Sequence, residues 1–214
     1  MKRLLGIICI ILIVAMTGCS NGNDENATAS IVDEKFMLYS LPWGETWDNV
    51  KDYPQLASGT VVRDDGNLLG VEVENTEFLG VKGKTVLTFY VSEQAFPSSG
   101  LASAYFFYDA QDEEKIIAEG EKIYGERKDH FLDKNGIANP IQPSGWYSAQ
   151  TVEGSFTAAE KEKYLEYAKD VEPTRIDALL RRPLVVIRIV EEEHMVEFSG
   201  VSAAVVKNIK QVTE

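Results

Sequence analysis

The apolar residues of this chain fall into three regimes. From Leu4 to Met16 they form an unbroken run of thirteen. From Ser20 to about Lys35 they almost vanish, and Asn, Asp, Ser, Thr and Ala take their place. From Phe36 onward they return in short bursts with periods of two or of three to four, the signatures of strands and helices. The first 35 residues and the remaining 179 therefore call for different physical readings.

In the third regime, Phe36 to Tyr39 predicts an edge strand or a first packed segment. Thr46 is placed to cap a helix running to about Tyr53 and stopping at Pro54, with Trp43 and Val50 facing the core. Thr60 to Arg63 and Leu68 to Val73 flank Asp64-Asp65-Gly66-Asn67, and Asp-Gly between apolar runs is a strong hairpin signal. Leu69, Val71 and Val73 alternate with Gly70, Glu72 and Glu74, which gives that strand one buried and one wet face. Lys82-Gly83-Lys84 predicts a further turn. Thr85 to Val91 and Leu101 to Tyr108 are apolar on both faces, which predicts central strands separated by a Phe96–Gly100 loop.

Asp112 to Tyr124 predicts a helix with Ile116, Gly120 and Ile123 in one row, Ile117 and Tyr124 in another, and Gly125 after its end. Glu126 to Ser144 is loop-rich; its Asp133-Lys134-Asn135-Gly136 lacks the alternating acids of a calcium loop and is a plain turn. Trp146 to Val152 predicts a strand. Thr157-Ala158-Ala159-Glu160 is a capping box for a helix with Tyr164, Leu165, Ala168 and Val171 on its apolar stripe, ended by Pro173. A helical turn over Ile176–Leu180 follows, then a hairpin of Leu184–Val190 and Met195–Phe198 across Glu191–His194. The type of Ser202–Ile209 is left open. With no recurring period, the pattern predicts one α+β domain over residues 36–214, a single antiparallel sheet with helices packed mainly on one face.

The first regime changes where that domain is expected to work. Lys2 and Arg3 precede the apolar run, and Thr17-Gly18-Cys19 closes it. A positive start, a short apolar core and small residues at a break are what an export signal requires. Thirteen residues fall short of the roughly twenty that a spanning helix needs. Met16-Thr17-Gly18-Cys19 resembles the bacterial lipobox, although the family more often has Leu where Met16 stands. The resemblance implies removal of residues 1–18, a thioether-linked diacylglycerol on Cys19, and an address on the extracytoplasmic side of a membrane. Residues 19–35 are then the lipidated cysteine and a flexible tether, since so few apolar side chains cannot offset the entropy of ordering.

Composition narrows the chemistry further. Loss of Lys2 and Arg3 takes the formal charge from −13 to −15, which disfavours nucleic-acid and anionic-lipid binding. Cys9 lies in the leader and Cys19 is the lipid site, so the mature chain would hold no free thiol, disulfide or thiolate metal site. His130 and His194 both fall in expected loops with no metal-ligand spacing, and no nucleophile elbow or phosphate loop occurs. Arg181-Arg182 before Pro183 could clamp an anion or serve as plain surface charge. No catalytic residue, cofactor or metal is therefore assigned. Trp43, Trp47, Trp146 and Tyr147 are the candidates for a peptide or glycan groove, with core packing the competing role for at least two of the tryptophans.

Pro42-Trp43-Gly44-Glu45-Thr46 with Val50, the aromatic strand Tyr105-Phe106-Phe107-Tyr108 and the helix ending Tyr124-Gly125 resemble a class of exported bacterial lipoproteins. Over about half the chain they are also distantly similar to the helix-plus-sheet folds of BamE and the β-lactamase inhibitory proteins. The resemblance implies an interaction module and carries no partner-binding residue across. The expected function is a lipid-anchored, non-enzymatic envelope domain binding a protein or envelope component. An envelope hydrolase using two carboxylates, or a structural or stress-related envelope lipoprotein, are the alternatives.

Overall fold

A computed structural model describes residues 31–129, 131–132, 138–139, 144–171 and 176–214, with the backbone alone for 131, 132, 138, 139, 170 and 171. The leader, Cys19, the tether up to residue 30, His130, the turn at 133–136 and Pro173 lie outside the described residues.

Strands β1 (Thr60–Asp64), β2 (Leu68–Phe78), β3 (Val81–Tyr90), β4 (Gly100–Phe107), β7 (Trp146–Tyr147), β8 (Val186–Val190) and β9 (Met195–Ser199) form one antiparallel sheet. Their order is β1-β2-β3-β4-β9-β8-β7, and β5 (Phe131–Leu132) with β6 (Ala138–Asn139) makes a separate short ladder. The first four strands are a meander, and the closing β8–β9 hairpin is inserted between β4 and β7. The helices are α1 (Trp47–Val50), α2 (Glu113–Tyr124), α3 (Val152–Ser155), α4 (Ala158–Val171), α5 (Ile176–Leu180) and α6 (Val201–Gln211). This is the expected α+β fold.

The register explains the layering. Val71 faces Leu87, Leu87 faces Ala104 and Ala104 faces Phe198, so these side chains and their i±2 neighbours share one side of the sheet. Val71, Leu87, Ala104 and Phe198 are fully buried there. Against that side pack Trp47 on Phe89, Tyr124 on Trp146, and Ile116, Ala203, Val206 and Ile209, all in one core. Fully burying each large aliphatic or aromatic side chain contributes roughly 1.5–3 kcal/mol, so this layer supplies most of the stability.

Several local expectations hold. The Asp64–Asn67 hairpin forms, and the Asp65 carboxylate is held down to about 2 by the Leu68 N–H, the Arg63 guanidinium and the Asn67 N–H. The β8–β9 hairpin turns at Glu191–His194, and the Ile176–Leu180 helical turn is α5.

Others are corrected. Of the two expectations for Phe36–Tyr39 the packed segment holds and the edge strand does not: Phe36 and Leu38 are buried within two 3-10 turns, and packing begins earlier still, with Val32 buried and Ile31 against the core. The helix after Thr46 lasts one turn, and Thr46 makes no side-chain cap. The turn expected at Lys82–Lys84 falls instead at Leu79–Gly80, and Gly83 sits inside β3. Its glycine reflects close approach: a Cβ there would stand 2.7 Å from the Phe106 ring and nearer still to the Phe107 carbonyl. Ile123 is exposed rather than in the buried row of α2. The strand expected over Trp146–Val152 ends at Tyr147, because Thr151 accepts the Gly154 N–H and starts α3.

The capping box forms and gains a partner. The Thr157 N–H donates to Glu160 at 2.6 Å, the Glu160 N–H donates to Thr157 Oγ1 at 3.3 Å, and Lys210 Nζ of α6 donates to the same carboxylate at 3.2 Å. Burial pushes the Glu160 pKa up, but the Thr157 N–H and the Lys210 ammonium outweigh it and leave the group below its usual range. A lowered folded pKa stabilises above the unfolded value of about 4.3 and loses that contribution as pH falls through the folded value. Glu160→Gln should therefore cost about 1 kcal/mol at neutral pH, and the gap to the parent should close below about pH 4. Urea midpoints across that range test this; a gap that does not change with pH would refute it.

Candidate binding site

The second side of the sheet is built by the alternate residues of the same strands. Val86, Thr88 and Tyr90 of β3, Ser103, Tyr105 and Phe107 of β4, Arg188 of β8 and Glu197 of β9 project there, half-buried. Their interactions run mainly among themselves. Arg188 pairs with Glu197 across the strands, and Lys84 pairs with Glu72 at 2.9 Å while its ammonium lies 5.8 Å from the centre of the Phe107 ring. Burial and then the Glu197 charge push the Tyr105 hydroxyl up, with Ser103 opposing. The face thus carries Tyr90, Tyr105 and Phe107 spaced among Val86, Thr88 and Ser103, with paired charges beside them.

Tyr90 connects that face to a cleft. Beyond the end of β3 a cavity of about 540 Å³ lies between α1 and the 91–99 loop, lined by Trp47, Phe89, Tyr90, Ser92, Glu93 and Phe96. The Trp47 ring meets Phe89 edge-on at 5.8 Å, and the loop is pinned by Asn208 of α6, whose amide donates to Pro97 O at 2.8 Å and Ser99 O at 2.9 Å. On the far side of the loop a second cavity, of about 300 Å³, runs between Phe96, Tyr164, Tyr167, Leu179 and Arg182. Phe96 serves both and packs edge-on against Tyr167 at 5.0 Å.

The four aromatic candidates do not form one groove. Trp43 is 4 % exposed, lies over Gly200 and donates its indole N–H to Phe36 O. Trp146 is 2 % exposed and donates to Gly125 O. Both rings are used in core packing. Trp47 lines the larger of these two clefts, and Tyr147, on β7, is half-buried on the side of the sheet opposite the described helices. Tyr90, Tyr105, Phe107 and Phe96 were not singled out from the sequence. Their signal was present: an aromatic row on both faces of β3 and β4 means either double burial or an apolar surface.

The carboxylates are arranged differently. Among the described residues Glu93 is the single acid lining the larger of these clefts, and the smaller is lined by none. Glu121, Glu126, Asp129 and Glu191 gather around Arg127 in a shallow, open depression where water solvates them. His194 is exposed, with Nδ1 3.6 Å from Glu113. Among the described residues no group of three His, Cys, Asp or Glu side chains is placed to hold a metal ion, and no helix is long and apolar enough to cross a membrane. The chain matches no family model, no curated protein and no solved structure.

Proposed function

We propose that the chain is a lipid-anchored extracytoplasmic lipoprotein whose domain binds a partner protein through the helix-free sheet face, without enzymatic activity. The anchor rests on the leader and the Met16–Cys19 lipobox. The binding role rests on one observation: Phe107, Tyr105 and Tyr90 are spaced along the side of the sheet opposite the described helices, with Tyr90 at the end of β3 where the Trp47 cleft opens. Tyr and Trp supply large contact areas at low entropic cost, which is why they dominate protein interfaces. With a formal charge of −15 after loss of the leader, the domain favours a partner with a basic contact surface, steered in at low ionic strength. The hydrolase alternative has weaker support: among the described residues carboxylates gather only at open surface depressions beside lysine or arginine, Glu162 with Glu166 and Glu121 with Glu126, Asp129 and Glu191, and not in the clefts beside the 91–99 loop.

The test uses the full chain in its native host. A photo-crosslinking residue at Tyr105 should yield a discrete protein adduct, and one at Glu114 on the helix side should not. In a Cys19→Ala background the protein should leave the membrane fraction and the adduct should weaken. Equal adducts from both positions, or labelled glycan without protein, would overturn the partner assignment. Unchanged membrane association of Cys19→Ala would overturn the anchor.

A further inference from the structure

In a chain with 34 acidic residues, an arginine without a carboxylate partner is unusual enough to need a reason. Arg182 has no ion pair among the described residues, and its Nε is buried with no hydrogen-bond partner. A charged donor desolvated and left unpaired destabilises a fold, and an isolated surface arginine would simply turn outward to water. Here the backbone restrains it. The Arg182 N–H donates to Leu179 O, the Val152 N–H donates to Arg182 O, and Pro183 bridges to Thr151. The side chain therefore springs from a fixed point between α3 and α5, at the wall of the 300 Å³ cleft.

The cleft around it is chemically one-sided. Among the described residues its lining contains no Asp, Glu or Lys, and the guanidinium of Arg182 is the one full charge. Phe96, Tyr164, Tyr167, Leu179 and Val205 make the remaining walls largely apolar. Tyr164 is nearly buried, and burial pushes its hydroxyl up, so it stays a neutral hydrogen-bond donor beside the guanidinium. The opposite wall is held in place by the Asn208 clamp on Pro97 and Ser99.

We infer that this cleft is a binding site for a small organic carboxylate, with the carboxylate paired to Arg182 and an aromatic or aliphatic body among Phe96, Tyr164 and Tyr167. The planar fork of a guanidinium matches a carboxylate with two parallel hydrogen bonds. A cavity at the low end of the ligand-site range suits a molecule of that size with one anionic head. The lack of acidic lining removes the repulsion that the rest of this surface would offer an anion. The site lies on the helix side of the domain, so it stands or falls separately from partner binding on the other side of the sheet.

The test needs no variant in its first arm. The full chain is titrated with phenylacetate, octanoate and the neutral isostere phenylacetamide, followed by ligand-observed NMR. At least one of the acids should bind, and phenylacetamide should bind at least about tenfold more weakly than phenylacetate, the loss expected when a charge-assisted hydrogen bond is not made. In the second arm Arg182→Gln should lose acid binding by at least about tenfold, Arg182→Lys should recover part of it, and Arg181→Gln should bind like the parent. A thermal melt of each variant separates loss of the site from loss of the fold. Equal affinity for phenylacetate and phenylacetamide, unchanged binding by a folded Arg182→Gln, or no acid binding at about 10 mM would each overturn the inference.

Discussion

Trp146→Ala should lower the stability of the domain by about 3–5 kcal/mol, enough to unfold a large fraction of a marginally stable chain. The ring belongs to β7, a strand of two ladder residues at the edge of the sheet. Such a strand has little hydrogen bonding of its own, so packing must hold it. Trp146 lies 5.3 Å from the Tyr124 ring and directly on Gly120, where a Cβ would come within 2.8 Å of the indole. Tyr124 in turn packs on Phe36 at 5.4 Å. One side chain thus links the sheet edge, α2 and the first packed turn of the chain. Its Nε1–H also satisfies Gly125 O at 2.7 Å, just past the end of α2. Trp146→Phe should keep much of the packing and lose that bond, for about 1–3 kcal/mol. Trp47→Ala, at a half-buried ring lining an open cleft, should cost about 1–2 kcal/mol. Urea unfolding of the three variants ranks them. A Trp47 variant as damaging as Trp146→Ala would contradict the division between core and cleft.

The contrast shows what the sequence could and could not reveal. Strands and helices with one dry face were legible: Leu69-Val71-Val73, the Asp-Gly hairpin and the Thr157–Glu160 box all carry their structure in local spacing. The α6 segment was not, because Ala203, Ala204, Val205 and Val206 are four consecutive buried apolar residues, a run that a buried strand carries as well as a helix. Gly83 misled for a related reason. Glycine marks both turns and close approaches, and only the position of Phe106 and Phe107 distinguishes them. The candidate sites were less legible still. Phe96, the Tyr164–Tyr167 pair of α4 and Arg182 come from three separate stretches, gathered by the insertion of β8–β9 beside β4, and no linear spacing records that. Arg181-Arg182 reads as an anion clamp or as plain surface charge, and nothing in the sequence says which of the two faces a cavity.

Gly100→Ala should be nearly as damaging as Trp146→Ala, at about 2–5 kcal/mol, by a mechanism with no core side chain in it. Gly100 opens β4, the central strand, with φ +89°, a backbone region that an L side chain enters only under strain. Space is the larger obstacle. A Cβ at this position would stand 2.9 Å from Gly44 Cα and closer still to the Gly44 carbonyl, and both obstacles are backbone, which cannot rotate away. Gly44 cannot retreat either. Its N–H donates to Leu101 O at 2.9 Å, the Leu101 N–H donates to Glu45 O at 2.8 Å, and α6 holds the same segment through Lys207. Lys207 Nζ lies 2.8 Å from the Glu45 carboxylate and donates to Gly44 O at 3.1 Å. The added methyl would therefore separate the segment before α1 from β4 and α6 together. Because Gly100 also lines the Trp47 cleft, a folded remnant should show altered Trp47 fluorescence. Gly66→Ala is the matching control: its φ is +79°, but a Cβ there meets nothing within 4 Å, so it should cost only the backbone strain of about 1–2 kcal/mol. If the two variants lose equal stability, close approach is not what glycine serves at position 100.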